Sequence, residues 1–120
     1  MLPETIEWIG DVPLLKLLDQ RKIPFSVEFR ECRTYEETAD AIEDMTVRGA
    51  PAIGVAAAYG IVLAAREDMM KIDDAFLRLS AARPTAVNLF WSLERMRSVY
   101  KNSMGAHDIC AILESEAEKI

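Results

Sequence analysis

Two arginines that stand beside prolines are the residues in this sequence best suited to bind a charged ligand. Arg48 precedes Gly49, Ala50 and Pro51, and a long uncharged run of small and apolar residues follows. Proline fits the first turn of a helix because its φ is fixed there and its missing N–H would go unpaired anyway. The sequence therefore predicts a helix that begins near Pro51, with free backbone N–H groups pointing toward Gly49 and Arg48. Such an end attracts phosphate, which glycine lets approach closely and arginine binds with its planar fork.

A second segment repeats this arrangement. Arg83 and Pro84 stand at the head of another apolar stretch, so two arginines beside helix starts can converge on one phosphate from two sides. For either arginine alone, an exposed or salt-bridged position is the ordinary alternative, and that alternative stays open. In this pattern Arg48 and the backbone amides after Gly49 would hold the phosphate on one side, and Arg83 would hold it on the other.

The glycine spacing does not make a nucleotide-binding loop. Gly49 and Gly54 are spaced as in a P-loop, but Val55 and Ala56 stand where lysine and Ser/Thr are required. Gly54 and Gly60 are better explained by close packing of a helix.

No set of residues in the sequence forms a catalytic or metal centre. His107 is the sole histidine and lies near a predicted helix start, while Cys32 and Cys110 are typical of small buried hydrophobes. Asp19–Arg21 could reach a site or simply form a turn. We therefore expect no catalytic residue and no metal site in this chain.

Composition predicts one globular domain. With 120 residues the chain has room for a single core, and 51% hydrophobic with 28% charged residues is a folded balance. The net charge of −6, with no basic cluster, argues against nucleic acid as a ligand. The uncharged run over residues 49–65 falls short of the roughly 20 apolar residues of a membrane span, so we expect a core helix. Two isolated cysteines and no leader pattern favour the cytoplasm.

The predicted fold is α+β, a three-stranded antiparallel β-meander over residues 1–33 followed by a bundle of about five helices over residues 34–120. Strands are expected at Thr5–Ile9, Leu14–Leu18 and Phe25–Cys32. In the third strand, Phe25, Val27 and Phe29 alternate with polar residues, the pattern of a half-buried strand.

Helix signals follow the strands. Thr34 and Glu37 form a capping box, and the apolar stripe of the first helix runs from Tyr35 to Met45. The second helix is expected from about Pro51 to Arg66, and the third from an N-cap at Asp73 to a break at Pro84. The expected stripes of the fourth and fifth helices are Leu89, Leu93, Met96 and Tyr100, and Ile109, Ile112, Leu113 and Ile120. Phe90, Trp8 and Trp91 are predicted in the core or at a domain interface.

Three ordered motifs give the chain a family resemblance. Leu18–Pro24, Val47–Gly54 and Arg83–Leu89 closely resemble the N-terminal domain of the methylthioribose-1-phosphate isomerases. These enzymes belong with the regulatory subunits of translation initiation factor 2B and with ribose-1,5-bisphosphate isomerases. The Arg-Gly-Ala-Pro-Ala-Ile-Gly form is most similar to the methionine-salvage enzymes.

The resemblance implies an aldose–ketose isomerase that converts 5-methylthioribose 1-phosphate to the ribulose 1-phosphate, commonly as a homodimer and without a cofactor. The resemblance also implies that phosphate and sugar contacts are made by Arg48, Gly49, Ala50, Pro51 and Arg83. The family's catalytic cysteine and aspartate lie in a Rossmann-like C-terminal domain that these 120 residues do not contain. Because the last helix runs to Ile120 without a cap, we expect a truncated piece. From the arginine motifs and the resemblance we expect this piece to supply phosphate binding and a lid, and to be inactive alone.

Three alternatives stay open. The chain could be an assembly domain of the initiation-factor type, a domain of a ribose-1,5-bisphosphate isomerase, or a free-standing helical domain.

Overall fold

The computed structural model describes residues 5–120, in which three strands precede five helices. The elements are β1 (Ile6–Ile9), β2 (Leu14–Leu18), β3 (Phe29–Cys32), α1 (Tyr35–Glu43), α2 (Ala50–Glu67), α3 (Ile72–Ala82), α4 (Val87–Asn102) and α5 (Ile109–Lys119). A 3₁₀ turn at Met69–Lys71 joins α2 to α3. The predicted α+β class is confirmed; the first four residues of the predicted 1–33 meander lie outside the described part.

The sheet is antiparallel in the order β1-β2-β3, so β2 lies in the middle. Leu15 of β2 lies opposite Trp8 on one side and Cys32 on the other. The four leucines of β2 are buried because β2 pairs with a strand on each side and packs against α2. The bounds of β2 agree with the prediction.

The third strand is shorter than predicted, and its apolar alternation is not a buried face. Phe25 is 95% exposed and Val27 is 58% exposed. The chain turns here instead: the backbone N–H groups of Phe25 and Ser26 both donate to the carbonyl of Lys22. These two N–H groups are therefore used within a local turn and cannot extend the strand. Regular pairing with β2 begins at Phe29.

The first helix begins as the capping box predicts. Thr34 Oγ1 accepts from the Glu37 N–H at 3.1 Å, and the Glu37 carboxylate accepts from the Arg33 N–H at 2.9 Å. The predicted apolar stripe stops at Ile42, since α1 ends at Glu43 and Met45 lies beyond it with a φ of 71°.

Helix α2 is the central element and packs against α1, α3, α4, α5 and the sheet. It is long and apolar enough to cross a membrane, but 67% of it is buried inside the domain, as expected of a core helix. A Cβ at Gly54 would lie 3.3 Å from the Asn88 carbonyl, and one at Gly60 would lie 3.0 Å from Leu79 Cδ1. These glycines let α4 and α3 approach α2 closely.

The third helix begins two residues earlier than an N-cap at Asp73 predicts, and Lys71 holds the N-cap position instead. Asp68 performs that role for the preceding 3₁₀ turn, since its carboxylate accepts from the Met70 N–H at 3.0 Å. The turn leads directly into α3, which leaves Asp73 within the first helical turn.

Aromatic residues divide between the core and the surface. Trp8 stacks on Tyr59 with ring centroids 4.8 Å apart and donates from Nε1 to Glu114 at 2.8 Å. Phe90 and Trp91 are 58% and 65% exposed, which rules out a core position for them within the described residues. Leu89, Leu93 and Met96 on the opposite side of α4 are buried, as their spacing predicted, while Tyr100 is half-buried. On α5 only Leu113 of the predicted stripe is buried; Ile109, Ile112 and Ile120 are half-buried.

Candidate anion-binding site

A cavity of about 390 Å³ lies between the start of α2 and the segment that joins α3 to α4. Among the described residues, its lining contains two arginines and no carboxylate. The lining residues are Met45, Arg48, Gly49, Ala50, Ile53, Arg83, Ala86, Val87 and Asn88. The structure thus brings Arg48, Gly49, Ala50 and Arg83 together around one space.

Two helices begin at this cavity. Gly49 is the N-cap of α2 and Ala86 is the N-cap of α4, and neither helix start has a side-chain cap among the described residues. The first backbone bonds of the two helices reach Gly49 from Ile53 and Ala86 from Phe90, so the N–H groups before them are not used within the helices. Both positive helix ends therefore add to the field of the arginines.

Gly49 has a backbone conformation that only glycine adopts readily. Its φ is 93° and its ψ is 132°, and among the described residues other than its chain neighbours no atom lies within 4 Å of where a Cβ would stand. Glycine is therefore needed here for the backbone conformation, and its missing side chain leaves the backbone accessible to a ligand.

Arg48 and Arg83 differ from the other arginines because neither pairs with a carboxylate within residues 5–120. Arg48 is exposed, and its Nη2 donates to the Gln20 carbonyl at 3.4 Å; Arg83 is half-buried. Every other arginine lies within 4.0 Å of a carboxylate oxygen. These are Arg21, Arg30, Arg33, Arg66, Arg78, Arg95 and Arg97. The two arginines without an acidic partner are thus the two that line the cavity.

The two prolines do not play equivalent parts, contrary to the prediction. Pro51 lies in the first turn of α2 and lines a neighbouring groove of about 650 Å³ rather than the cavity. Pro84 lies in a turn closed by the Ala86 N–H and the Arg83 carbonyl, and α4 begins only at Val87. Because Arg83 directly follows the end of α3, it reaches the cavity from that helix and not from the head of α4.

The segment Asp19–Arg21 forms a turn, one of the two roles that the sequence left open. Asp19 is 6% exposed, and its carboxylate accepts from the Arg21 backbone N–H, Nε and Nη2 at 3.0, 2.9 and 2.8 Å. The side-chain hydrogen bond from Arg21 is the main cause that lowers the pKa of Asp19, while burial opposes it.

Asp44 and Thr46 lie between α1 and the cavity, and sequence reasoning missed them. The Asp44 carboxylate accepts from the backbone N–H and the hydroxyl of Thr46 at 3.0 and 2.7 Å, and from Arg30 at 2.8 Å. Burial works to raise the pKa of Asp44, but the hydrogen bonds from Thr46 and Arg30 together lower it. An aspartate whose carboxylate accepts from the backbone N–H two residues on forms an Asx turn, so Asp44 itself was the available signal for this turn.

The remaining sequence candidates lie away from the cavity. Cys32 is buried, and burial raises the pKa of its thiol to about 11. Cys110 is half-buried and donates to the Ala65 carbonyl at 3.4 Å, while His107 is exposed. No cluster of three or more histidine, cysteine or acidic side chains that could hold a metal occurs over residues 5–120. The described residues around the cavity can bind an anion, but none of them is placed as a base or nucleophile.

The chain is similar to curated sugar-phosphate isomerases over almost its whole length. Methylthioribose-1-phosphate isomerase of Thermotoga petrophila is 51% identical over 124 residues, which cover 98% of this chain and 35% of that protein. The enzyme of the same name from Xanthomonas oryzae pv. oryzae is 50% identical over 121 residues, covering 94% and 33%. The chain thus spans about a third of the length of these relatives.

Two solved structures have the same fold. The 5-methylthioribose 1-phosphate isomerase of Pyrococcus horikoshii superposes with a TM-score of 0.89 at 35% identity, covering 98% of this chain and 35% of that one. Subunit delta of translation initiation factor eIF-2B from A. fulgidus gives a TM-score of 0.83 at 40% identity, covering 98% and 36%. Residues 46–120, which contain α2 to α5 and every residue of the cavity except Met45, match the model of the initiation factor 2 subunit family. The chain therefore belongs to the initiation factor 2 subunit family.

Proposed function

We propose that this chain is the phosphate-binding and lid portion of an isomerase that converts 5-methylthioribose 1-phosphate to 5-methylthioribulose 1-phosphate in methionine salvage. The observation that carries the proposal is the convergence of Arg48 and Arg83, both without acidic partners among residues 5–120, on a cavity where two helices begin. The names of the relatives supply the substrate.

The charges suit a phosphate monoester. Such a group carries about −1.5 to −2 at neutral pH, which two guanidinium groups balance. Each arginine can give charge-assisted hydrogen bonds, and the amides at the starts of α2 and α4 supply further donors. The lining residues that the structure describes include no carboxylate that would repel the anion.

The proposed role is binding and not chemistry. An aldose–ketose isomerisation moves protons between neighbouring carbons and their oxygens, which requires an acid and a base near the sugar. The described residues of the cavity lining offer neither an acid nor a base. As the resemblance to the methylthioribose-1-phosphate isomerases implies, we propose that a catalytic cysteine and aspartate lie on a Rossmann-like domain of the same protein, beyond these residues. The proposal also includes action without a cofactor, as a homodimer in the cytoplasm.

Calorimetric titration of the 120-residue chain with 5-methylthioribose 1-phosphate tests the binding role. Arg48→Gln and Arg83→Gln should each weaken binding about tenfold or more, because each removes hydrogen bonds to a charged group. Arg78→Gln is the matched control, since Arg78 is bound to Asp40 and Glu43 away from the cavity. Wild-type binding that neither cavity variant weakens would remove the site assignment.

The reaction is tested on the protein as its gene encodes it. Arg83→Gln should lower kcat/KM for 5-methylthioribose 1-phosphate, with most of the effect in KM if phosphate binding is equally strong before and during reaction. Parallel assays with ribose 1,5-bisphosphate decide between the two isomerase substrates. Faster turnover of the bisphosphate would contradict the proposed substrate.

An assembly domain is the second candidate, favoured by the likeness to the eIF-2B subunit and by the exposed Phe90 and Trp91 on α4. Exposed aromatic residues of this kind are enriched at protein interfaces. This alternative predicts a gene-encoded protein without isomerase activity that binds a purified initiation factor 2 subunit. A Trp91→Ala variant would then lose that binding.

A further inference from the structure

The segment over residues 44–49 carries Arg48 to the cavity and is held against the end of β2. The Gln20 N–H donates to the Thr46 carbonyl at 3.0 Å, and Arg48 Nη2 donates to the Gln20 carbonyl at 3.4 Å. Val47 between them is buried, and its N–H donates to the Ala41 carbonyl at 3.2 Å. Both backbone groups of Gln20 thus contact the segment that presents Arg48.

A charged cluster fixes the first half of this segment. Asp44 Oδ2 lies 2.8 Å from Arg30 Nη1 and 3.4 Å from Arg21 Nη1, while Oδ1 accepts both hydrogen bonds from Thr46. The Thr46 hydroxyl also accepts from Arg30 at 3.1 Å. Thr46 is fully buried, so its hydroxyl has a fixed donor and a fixed acceptor.

The cluster holds a conformation that the sequence does not favour locally. Met45 has a φ of 71°, a left-handed value that is uncommon for a residue with a side chain. Such a conformation persists where the surroundings over-determine it, and here Asp44 and Thr46 on either side of Met45 are bound to each other.

From this arrangement we infer that Asp44 and Thr46 are positioning residues, which hold residues 44–49 so that Arg48 faces the phosphate. The inference rests on the proposed function of the cavity. Neither residue lines the cavity, so they act through the backbone and not by touching the ligand. An arginine that is ordered before binding loses less entropy when the ligand arrives, and so binds more tightly.

The test compares substitutions that keep or remove these hydrogen bonds in the 120-residue chain. Inorganic phosphate and 5-methylthioribose 1-phosphate are titrated well below the unfolding temperature of every variant. Asp44→Asn and Thr46→Val should each weaken binding about fivefold, the value of one hydrogen bond. Thr46→Ser keeps the hydroxyl and should bind like wild type.

Asp40→Asn is the matched control for charge. This substitution also removes one negative charge and the partner of one arginine, since Asp40 accepts from Arg78 at 2.7 Å. Asp40, however, lies on α1 away from the cavity. Asp40→Asn should leave binding unchanged. A purely electrostatic effect has the opposite sign at Asp44, because the loss of a nearby negative charge would tighten binding of an anion.

The outcomes separate this inference from the proposed function. Tighter or unchanged binding in Asp44→Asn or Thr46→Val, or equal weakening by Thr46→Ser, overturns the positioning role. If wild type binds neither probe, the proposed function fails. The positioning role is then decided by ¹⁵N relaxation of Arg48 Nε in the unliganded chain. Thr46→Val should make this group more mobile and Thr46→Ser should not; equal mobility in both would overturn the inference.

Discussion

Replacement of Gly49 by alanine tests the backbone path at the site without introducing a clash. A Cβ at this position would meet no atom within 4 Å from the described residues beyond its chain neighbours, so we expect no overpacking in the variant. The cost is conformational, because a φ of 93° with a ψ of 132° lies outside the regions open to alanine. A residue held in such a region costs about 1–3 kcal/mol.

The magnitude expected for Gly49→Ala follows from two opposing effects. Alanine restricts the unfolded chain more than glycine does, which favours folding by about 0.4–1 kcal/mol and offsets part of the strain. We therefore expect the free energy of unfolding to fall by about 1–2 kcal/mol. If the backbone relaxes instead, the amides at the start of α2 move, and phosphate affinity falls in place of stability.

Urea unfolding monitored by circular dichroism, together with phosphate titration, measures both effects. Gly105→Ala is the matched control, because Gly105 also has a positive φ, of 86°, with no atom within 4 Å of a Cβ, but lies between α4 and α5. It should lose a similar amount of stability and bind phosphate normally. If Gly49→Ala matches wild type in both stability and affinity, the argument from backbone conformation is refuted.

Three further predictions concern packing, pH and thiol reactivity. Gly60→Val should lower the free energy of unfolding by about 1–3 kcal/mol, since even a Cβ would lie 3.0 Å from Leu79 Cδ1; a normal urea midpoint would contradict this. Because Arg21 lowers the pKa of Asp19, that carboxylate stabilises the fold above its unfolded pKa of about 3.9, and this contribution is lost as pH falls through the lowered value. Asp19→Asn should thus be less stable at pH 7 by about 1–3 kcal/mol, with the gap to wild type closing as unfolding is measured toward pH 2; an equal gap at both pH values would contradict it. Burial raises the pKa of the Cys32 thiol to about 11, so at pH 8 iodoacetamide should modify Cys32 no faster than the protein unfolds; rapid modification of the native protein would contradict the buried position.

The sequence predicted best the elements whose signals are local and strong. The bounds of β2, which has four leucines among its five residues, and the start of α1 at the Thr34–Glu37 capping box were predicted correctly. Helix α2 was predicted to within one residue at each end. Its start was predictable because Gly49 and Pro51 mark it. In these cases propensity, capping and burial all favour the same structure.

The third strand could not be predicted from alternation alone. Phe25, Val27 and Phe29 do alternate with polar residues, but β2 ends at Leu18, and the turn through Lys22 leaves most of the predicted extension of β3 without a partner. Pairing depends on where the neighbouring strand ends, which a local pattern does not contain.

The sequence placed Arg48 and Arg83 at one site but did not show how each reaches it, and their binding of phosphate stays a prediction. Arg48 and Arg83 line one cavity, but Arg83 arrives from the end of α3, and Pro84 lies in a turn. The contacts of Asp44 and Thr46 with Arg30 join parts of the chain 14 or more residues apart, and no motif signals them. Ion pairs of this kind follow from tertiary packing and become visible only in the structure.

Amide NMR is the most direct test of the claim that the two helix starts and the two arginines form one phosphate site. The ¹⁵N-labelled 120-residue chain is titrated with inorganic phosphate. We predict saturable shifts concentrated at Gly49, Ala50, Val87 and Asn88, and their loss in the Arg48→Gln/Arg83→Gln double variant. Shifts that are absent, that centre on other basic residues, or that persist in the double variant would contradict the account.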